Sequence, residues 1–449
     1  MLPPGPSTNA FVQTFRWMLS PAGTLEELGA RWGDVFTLRS PIFGTMVNFT
    51  HPDAVKQIFT GDPAVFHGGV AAQPFGFFTG PQSVLLLDDA AHLHVRRLML
   101  PAFHGERMLH YTALVRDTTR RAFATRKPSQ RLALHPLFQE ITLKVIVRAV
   151  LGLDEGPELD AACAQLLQPL RHIQSPSGML WTKPALRKDL GPLTPWAGIK
   201  RAIEAMDRLL FAHIDAHRRG HGDPDDVLSM FVEAVDEDGR GLDDHAIRDQ
   251  VVALLVAGHE TSATALSWAF EEILRAPGEQ EQLLAEAEAV LGGAPVLAEH
   301  LPRLERIDSV VKEALRLHPV VGAVLRKLKS PATIGGHELP AGVMAVVVVD
   351  LLHRRPELYP EPQRFIGDRF VGKKMDPYAW APFGGGVRRC LGMAFALHEM
   401  KVMLATMCGM GLRLELERRG PCDTTLRGSL HAPKGATRVV VKALGRDAH

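Results

Sequence analysis

The segment from Asp243 to Arg275 constrains the fold more than any other part of this chain. Its helical periodicity persists for about thirty residues, which as a single helix spans about 50 Å. Its middle, Val251 to Gly258, is apolar all round. Such a helix runs through the centre of a protein, because a surface helix keeps one polar face.

The remaining pattern predicts what surrounds it. Helical periodicity dominates from about 89 to 275, with breaks near 155, 174–186 and 218–226, and continues through 278–318. Residues 33–50 are rich in β-branched and aromatic types around a Gly turn and read as a hairpin. A short helix is expected over 53–60, behind the cap candidate His51-Pro52-Asp53. Strands are expected over 324–329, 332–339 and 343–349, a last helix over 391–408, and a final strand from Arg438 to Leu444. Residues 66–88 and 352–388 read as long irregular stretches, and a loop as long as the first is uncommon unless functional. The expectation is a mostly α protein with a small β portion. It forms one integrated domain over 1–449, β-rich from about 33–60 and 324–350 plus the C-terminal strand, and α-rich over about 89–318 and 391–408.

Composition narrows the function. With 46% hydrophobic and 22% charged residues, the chain can bury a large core and still enclose a cofactor. Lys plus Arg number 51 against 50 Asp plus Glu, so no basic excess points to nucleic acid. None of the four cysteines forms a C-x-x-C pair, and so few in a long chain fit a reducing cytosol. The start, Met1-Leu2-Pro3-Pro4-Gly5-Pro6, has no basic then apolar signal, and the apolar run Val343 to Val349 stops at Asp350, far short of a membrane span. A cytoplasmic protein without a membrane anchor is expected.

The chemistry is concentrated in Pro382-Phe383-Gly384-Gly385-Gly386-Val387-Arg388-Arg389-Cys390-Leu391-Gly392. Cys390 precedes a predicted helix, whose first amides stabilise a thiolate. Glycines let the backbone come close to the sulfur and to a bound group. The pattern F-x-x-G-x-R-x-C-x-G resembles that of the cytochrome P-450 family, whose cysteine is the proximal thiolate ligand of haem. The resemblance implies the P-450 fold with its long central helix over the haem, haem b (iron protoporphyrin IX) as cofactor, and Cys390 as the iron ligand. It also implies that Phe383 shields the sulfur, that Gly384 and Gly392 shape the loop, and that Arg388 pairs with a haem propionate. Cys163, Cys408 and Cys422 are expected to be ordinary small buried side chains.

A second cluster, Ala257-Gly258-His259-Glu260-Thr261-Ser262, lies in the middle of the apolar helix. An acid and an alcohol are costly to bury there without a role. The Thr261 hydroxyl can bond back to a carbonyl one turn earlier and loosen the helix. The cluster resembles the family's oxygen-activation motif A-G-x-[DE]-T-[TS]. That implies a groove at Ala257 and Gly258, inward proton passage by Glu260, and a Thr261 hydroxyl that steadies the oxygen being protonated. His259 reads as a satisfied structural histidine.

Further along, Glu313-Ala314-Leu315-Arg316 places an acid and a base on one helix face. In the family such a pair meets an Arg from a P-x-R-F segment and forms a structural network. Arg364 and Arg369 are both candidates here, and the family's distance to the cysteine favours Arg369, with Gly367 standing where the motif has proline. His92-Leu93-His94-Val95-Arg96 resembles the H-x-x-x-R of bacterial members. It implies that His92 and Arg96, with Arg326 and Arg388, neutralise the haem propionates.

Segments matching the family's substrate-facing positions carry Phe75, Phe77, Phe78, Leu85, Ala257, Val320, Val321, Val324 and Leu430, with His431 the one ionisable side chain. An apolar small molecule is therefore expected: a terpenoid, steroid, fatty acid or polyketide-like compound, hydroxylated or epoxidised with O2. The lack of an evident cation for a carboxylate favours neutral terpenoids or steroids over fatty acids. No fused flavin or iron–sulfur domain is apparent, so electrons are expected from a separate ferredoxin with its reductase, or a flavodoxin. Such a partner would dock by charge on Arg96, Arg97, Arg107, Arg354, Arg355, Lys373, Lys374 and Arg389 of a monomeric protein. Two rival functions are a hydroperoxide-driven peroxygenase, against which the Glu260-Thr261 pair argues, and a non-enzymatic haem-thiolate sensor.

Overall fold

The structure, a computed structural model, describes residues 2–103, 105, 107–174, 181, 183–188, 191, 194–418 and 420–445. Contacts divide the chain into two compact units.

The first unit comprises residues 1–67, 106–141 and 261–449 and contains all the sheets among the described residues. The expected hairpin forms from Val35–Ser40 and Gly44–Phe49. Gly44–Phe49 pairs in parallel with Met344–Val348, which pairs antiparallel with Ala323–Leu328, and Phe66–His67 closes the five-stranded sheet. Met344–Val348 is buried at every position, as its unbroken apolar run requires of a central strand. Helix Pro52–Thr60 starts with proline at its first position and buries Ala54, Val55, Ile58 and Phe59. That stripe packs with Val47, Phe49, Ala345 and Val347 in one core cluster, and each large apolar side chain buried there contributes about 1.5–3 kcal/mol.

Residues 332–339 form a hairpin rather than one strand. Ala332–Ile334 and His337–Leu339 pair across Gly335 and Gly336, whose φ values of 55° and 80° suit the tight turn that matches strand twist. The final strand, Arg438–Ala443, is the centre of a three-stranded sheet between Arg131–Ala133 and Arg413–Leu416, and Thr424–Arg427 with Leu430–Pro433 makes another hairpin. These partner strands are three or four residues long, too short for an alternation to show in sequence.

The second unit, residues 68–105 and 142–260, is helical. It includes Asp89–Met99, Pro157–Gln174, Pro195–Arg218 and the first half of the long helix, which runs over Asp244–Arg275. The Gly- and Phe-rich stretch after 67 is not featureless: it folds into short turns, and helix side chains satisfy its backbone. Asp249 accepts from the Gln82 amide at 2.9 Å. Gln250 accepts from the Val84 amide at 2.7 Å and donates to the Gln82 carbonyl at 2.7 Å.

In the first unit, helix Glu305–Leu317 buries both charges of its last turns. The Arg316 guanidinium donates to both Glu313 oxygens at 2.7 and 2.9 Å. Its other donors reach the carbonyls of His353, Pro362 and Arg364 at 2.9, 2.7 and 3.2 Å, so all five are used. Arg369 donates to Glu313 Oε1 at 2.9 Å. Arg364 turns its guanidinium to Glu361 and supplies only its carbonyl. Gly367 replaces the motif's proline because Glu279, itself bonded to Arg306, abuts its α-carbon: any Cβ there would overlap the carboxylate.

His353 extends this network. Its Nδ1 donates to the Arg316 carbonyl at 3.0 Å and its Nε2 accepts from the Ala381 amide at 2.9 Å, at the root of the Cys390 loop. Burial, reinforced by the Arg316 charge, pushes its pKa down from 6.5 to about 3. Between those values the unfolded chain binds a proton that the folded protein refuses. The His353 contribution is therefore complete above pH 6.5 and is lost as pH falls toward 3. We expect His353→Gln to lower stability at pH 7 by about 1–3 kcal/mol. The gap to wild type should close as pH falls from 7 to 5, read from thermal unfolding at each pH. Parallel curves would contradict it.

Candidate functional site

The cysteine loop lies in the first unit. The Cys390 amide donates to the Phe383 carbonyl at 2.9 Å and closes the turn. Gly384 and Gly386 adopt φ values of 65° and 66°, which L side chains rarely take. A Cβ on Gly385 or Gly386 would overlap the Phe59 ring or the Phe59 carbonyl. Those two glycines thus make room for helix Pro52–Thr60. A Cβ on Gly392 would meet no described atom within 4 Å, so space is open at the start of helix Met393–Gly409.

Environment separates the four thiols. Cys390 is exposed and stands three residues before that helix, whose free amides give positive potential. Burial pushes the Cys408 thiol up to about 12 and the Cys422 thiol up to about 11, so neither is a thiolate near neutrality. Cys163 is buried.

Around the loop, Phe383 lies 5.9 Å from Trp380, ring to ring. Arg326 is buried and donates to the carbonyls of Leu325 and Gly385 at 2.9 and 3.5 Å, which sets its guanidinium beside the loop. Arg388 is half-buried in the short turn Gly386–Arg388. A Cβ on Gly384 would meet the Val324 side chain at 3.7 Å.

The long helix is continuous through Ala257–Ser262, so the Thr261 hydroxyl does not break it. Val251, Val252, Ala253, Leu255, His259, Glu260, Ser262 and Ala263 are buried, yet Leu254, Ala257, Gly258 and Thr261 keep accessible surface. Their spacing of three, one and three residues places them on one helix face. One face of the helix, together with Val256, thus keeps accessible surface where most of its neighbours are buried. The His259 ring bonds the Leu255 carbonyl at 2.7 Å, and the His259 carbonyl accepts from Thr142 at 2.8 Å.

One acid escaped sequence reasoning. Glu399, on helix Met393–Gly409, is fully buried, and burial pushes its pKa up to about 8 while nearby Ser262 opposes the shift. Neither of its oxygens makes a hydrogen bond of normal geometry. Nothing in the apolar run around it marks a Glu as buried before the helix is packed.

Other predicted positions sort by unit. In the second, His92 is buried and Arg96 partly exposed, one turn apart on Asp89–Met99. Phe75 and Leu85 are partly exposed. Phe77 sits 5.7 Å from Trp196 with the Arg187 guanidinium over its ring at 4.3 Å. Phe78, at 2% exposure, is core. In the first, Val320 at 5% exposure is also core, whereas Val321, Val324 and Leu430 keep accessible surface. His431 is buried against Asp350 and offers no ionisable group to a ligand. Arg354 and Arg355, expected among the docking cations, are mostly buried and tied to Glu26, Asp34 and Glu357. Lys373, Lys374 and Arg389 remain exposed.

The donor set suits a haem bound through sulfur: one exposed cysteine at a helix N-terminus, cations beside its loop, and open space at Gly392. Comparison with known proteins agrees. The family model for Cytochrome P450 matches residues 3–415. Cytochrome P450 135B1 of Mycobacterium tuberculosis is 40% identical, covering 98% of this chain and 92% of that protein. Cytochrome P450 135A1 of the same organism is 34% identical over 90% of this chain and 87% of its own length. The solved structure of retinoic acid-bound cyanobacterial CYP120A1 superposes with a TM-score of 0.83 at 22% identity, covering 98% of this chain and 99% of that one. The chain belongs to the cytochrome P450 family of haem monooxygenases.

Proposed function

We propose that this P450 binds haem b through the Cys390 thiolate and oxidises a neutral, apolar small molecule of terpenoid or steroid type. The observation that carries the reading is the single exposed thiol at a helix start, in a chain whose long helix keeps accessible surface at Ala257, Gly258 and Thr261. Bound haem supplies the activation of O2: one oxygen atom enters the substrate and the other leaves as water, with two electrons and two protons consumed.

The chain's own residues do the rest. Amides at the start of Met393–Gly409 hold negative charge on the Cys390 sulfur. Arg326 and Arg388 of the first unit are the cations for the haem carboxylates, and His92 and Arg96 of the second match the family's pattern for the same role. Thr261 keeps accessible surface on the helix, and buried Glu260 next to it is the proton donor that resupplies its hydroxyl. Val324 and Leu430 offer apolar surface in the first unit, and Ala257 and Gly258 do so in the second. The Glu260–Thr261 pair also favours O2 chemistry over peroxide-driven turnover.

Electrons come from a separate ferredoxin or flavodoxin. With Arg354 and Arg355 committed to ion pairs, the docking cations that remain are Arg107, Lys373, Lys374 and Arg389 of the first unit and Arg97 of the second. Among the described residues no helix is long and apolar enough to cross a membrane.

Three outcomes test this reading. The reduced, carbon-monoxide-bound protein shows the red-shifted absorption of thiolate ligation. Cys390→Ala abolishes it, and Ala at Cys163, Cys408 or Cys422 does not; a Cys390→Ala protein that kept the band would refute the assignment. In difference titrations, neutral terpenoids or steroids displace the haem water and fatty acids bind at least tenfold more weakly; the reverse order removes the substrate class. Charge reversal at Lys373, Lys374 and Arg389 slows reduction by an acidic ferredoxin about tenfold at low salt. A reduction rate indifferent to these changes and to ionic strength rules out the docking face.

A further inference from the structure

We infer that the buried pair His431 and Asp350 is a positioning device that locks segments 320–324 and 430–431 together as one rigid wall. That this wall faces a substrate rests on the proposed function.

Four stretches of the first unit converge on the pair. His431, at 4% exposure, belongs to strand Leu430–Pro433, and Asp350, at 3%, to the short helix Val349–Leu352. His431 Nδ1 and Asp350 Oδ2 lie 3.3 Å apart, a polar contact outside hydrogen-bond alignment. The Gly322 α-carbon is held between them: a Cβ there would overlap Asp350 Oδ2 and His431 Cε1. The main chain repeats the grip. The Val349 and Asp350 amides donate to the Gly322 carbonyl at 2.9 and 3.4 Å, and the His431 amide donates to the Val320 carbonyl at 2.9 Å. From the long helix, Trp268 Nε1 donates to the His431 carbonyl at 2.9 Å. Trp268 is itself fixed, stacked on His318 at 3.9 Å, and His318 bonds Glu272 at 2.7 Å.

The pair is a poor way to gain stability. Two buried polar groups forfeit hydration, and apolar side chains of equal volume would pack there at no loss. What it provides is definition. Val321 and Val324 flank Gly322 closely and Leu430 adjoins His431; these three keep accessible surface while the clamp between them is buried. A shift of the pair therefore moves all three, and a displacement of about 1 Å at a reacting centre can cost about a hundredfold in rate.

The test uses the full-length haem-loaded protein, with His431→Phe, which keeps ring volume, and Asp350→Asn, which keeps shape. Amide exchange is measured at His431 and Val349, which bond the 320–322 segment. We expect both amides to exchange at least tenfold faster in either variant, with the strand Met344–Val348 unchanged. Soret titrations with imidazole, 1-phenylimidazole and 4-phenylimidazole read the wall. Imidazole carries no phenyl group to meet the wall and should bind within about twofold of wild type, while the ratio of the two phenylimidazole affinities should change about tenfold. Exchange that rises only at the mutated element, or throughout the unit, overturns the clamp, as does an unchanged ratio. Wild-type protein that gives no Soret shift with imidazole refutes the haem reading instead, and the exchange data still decide the clamp.

Discussion

Glu313 holds two guanidinium groups away from water, and the placement of the cysteine loop follows from that. A buried carboxylate is tolerable only with full compensation, and Arg316 and Arg369 provide it at 2.7 to 2.9 Å. The two arginines in turn spend their remaining donors on carbonyls of residues 353 to 364. An irregular stretch with almost no ladder of its own is thereby pinned to a helix. His353 carries the constraint one step further, from the Arg316 carbonyl to the Ala381 amide, and so to the start of the loop that bears Cys390.

The loop's other boundary is steric. Gly385 and Gly386 pass against Phe59, whose helix is packed into the sheet core with Ala381. Electrostatic pinning from one side and close packing from the other leave the sulfur one exposed position at the start of a helix. Polar bonding chooses the route of the chain, and apolar packing removes the slack.

Burial then assigns chemistry to side chains that composition cannot tell apart. Cys408 and Cys390 are the same residue, yet one thiol is held protonated in the core and the other is accessible at a positive helix end. Glu399 stays protonated to about pH 8 where an exposed glutamate is ionised. Arg354 and Arg355 look like docking cations until their partners Glu26, Asp34 and Glu357 are seen.

The sequence by itself determined the strongly local features. These are the long helix, whose all-apolar middle admits no surface position; the hairpin after Gly33; the cysteine loop; and the helix that follows it. Each is written in neighbouring residues, through a period, a turn or a motif. The choice of Arg369 over Arg364 rested on spacing to the cysteine, but its reason, a Glu279 carboxylate pressed on Gly367, exists only after folding. Short strands such as Arg131–Ala133 and Arg413–Leu416 were invisible for the same cause, since three or four residues carry no period and acquire a partner only across long stretches of chain. His353, Glu399 and the His431–Asp350 pair were decided wholly by tertiary structure. A buried polar group is defined by what surrounds it, and its surroundings come from segments tens to hundreds of residues away.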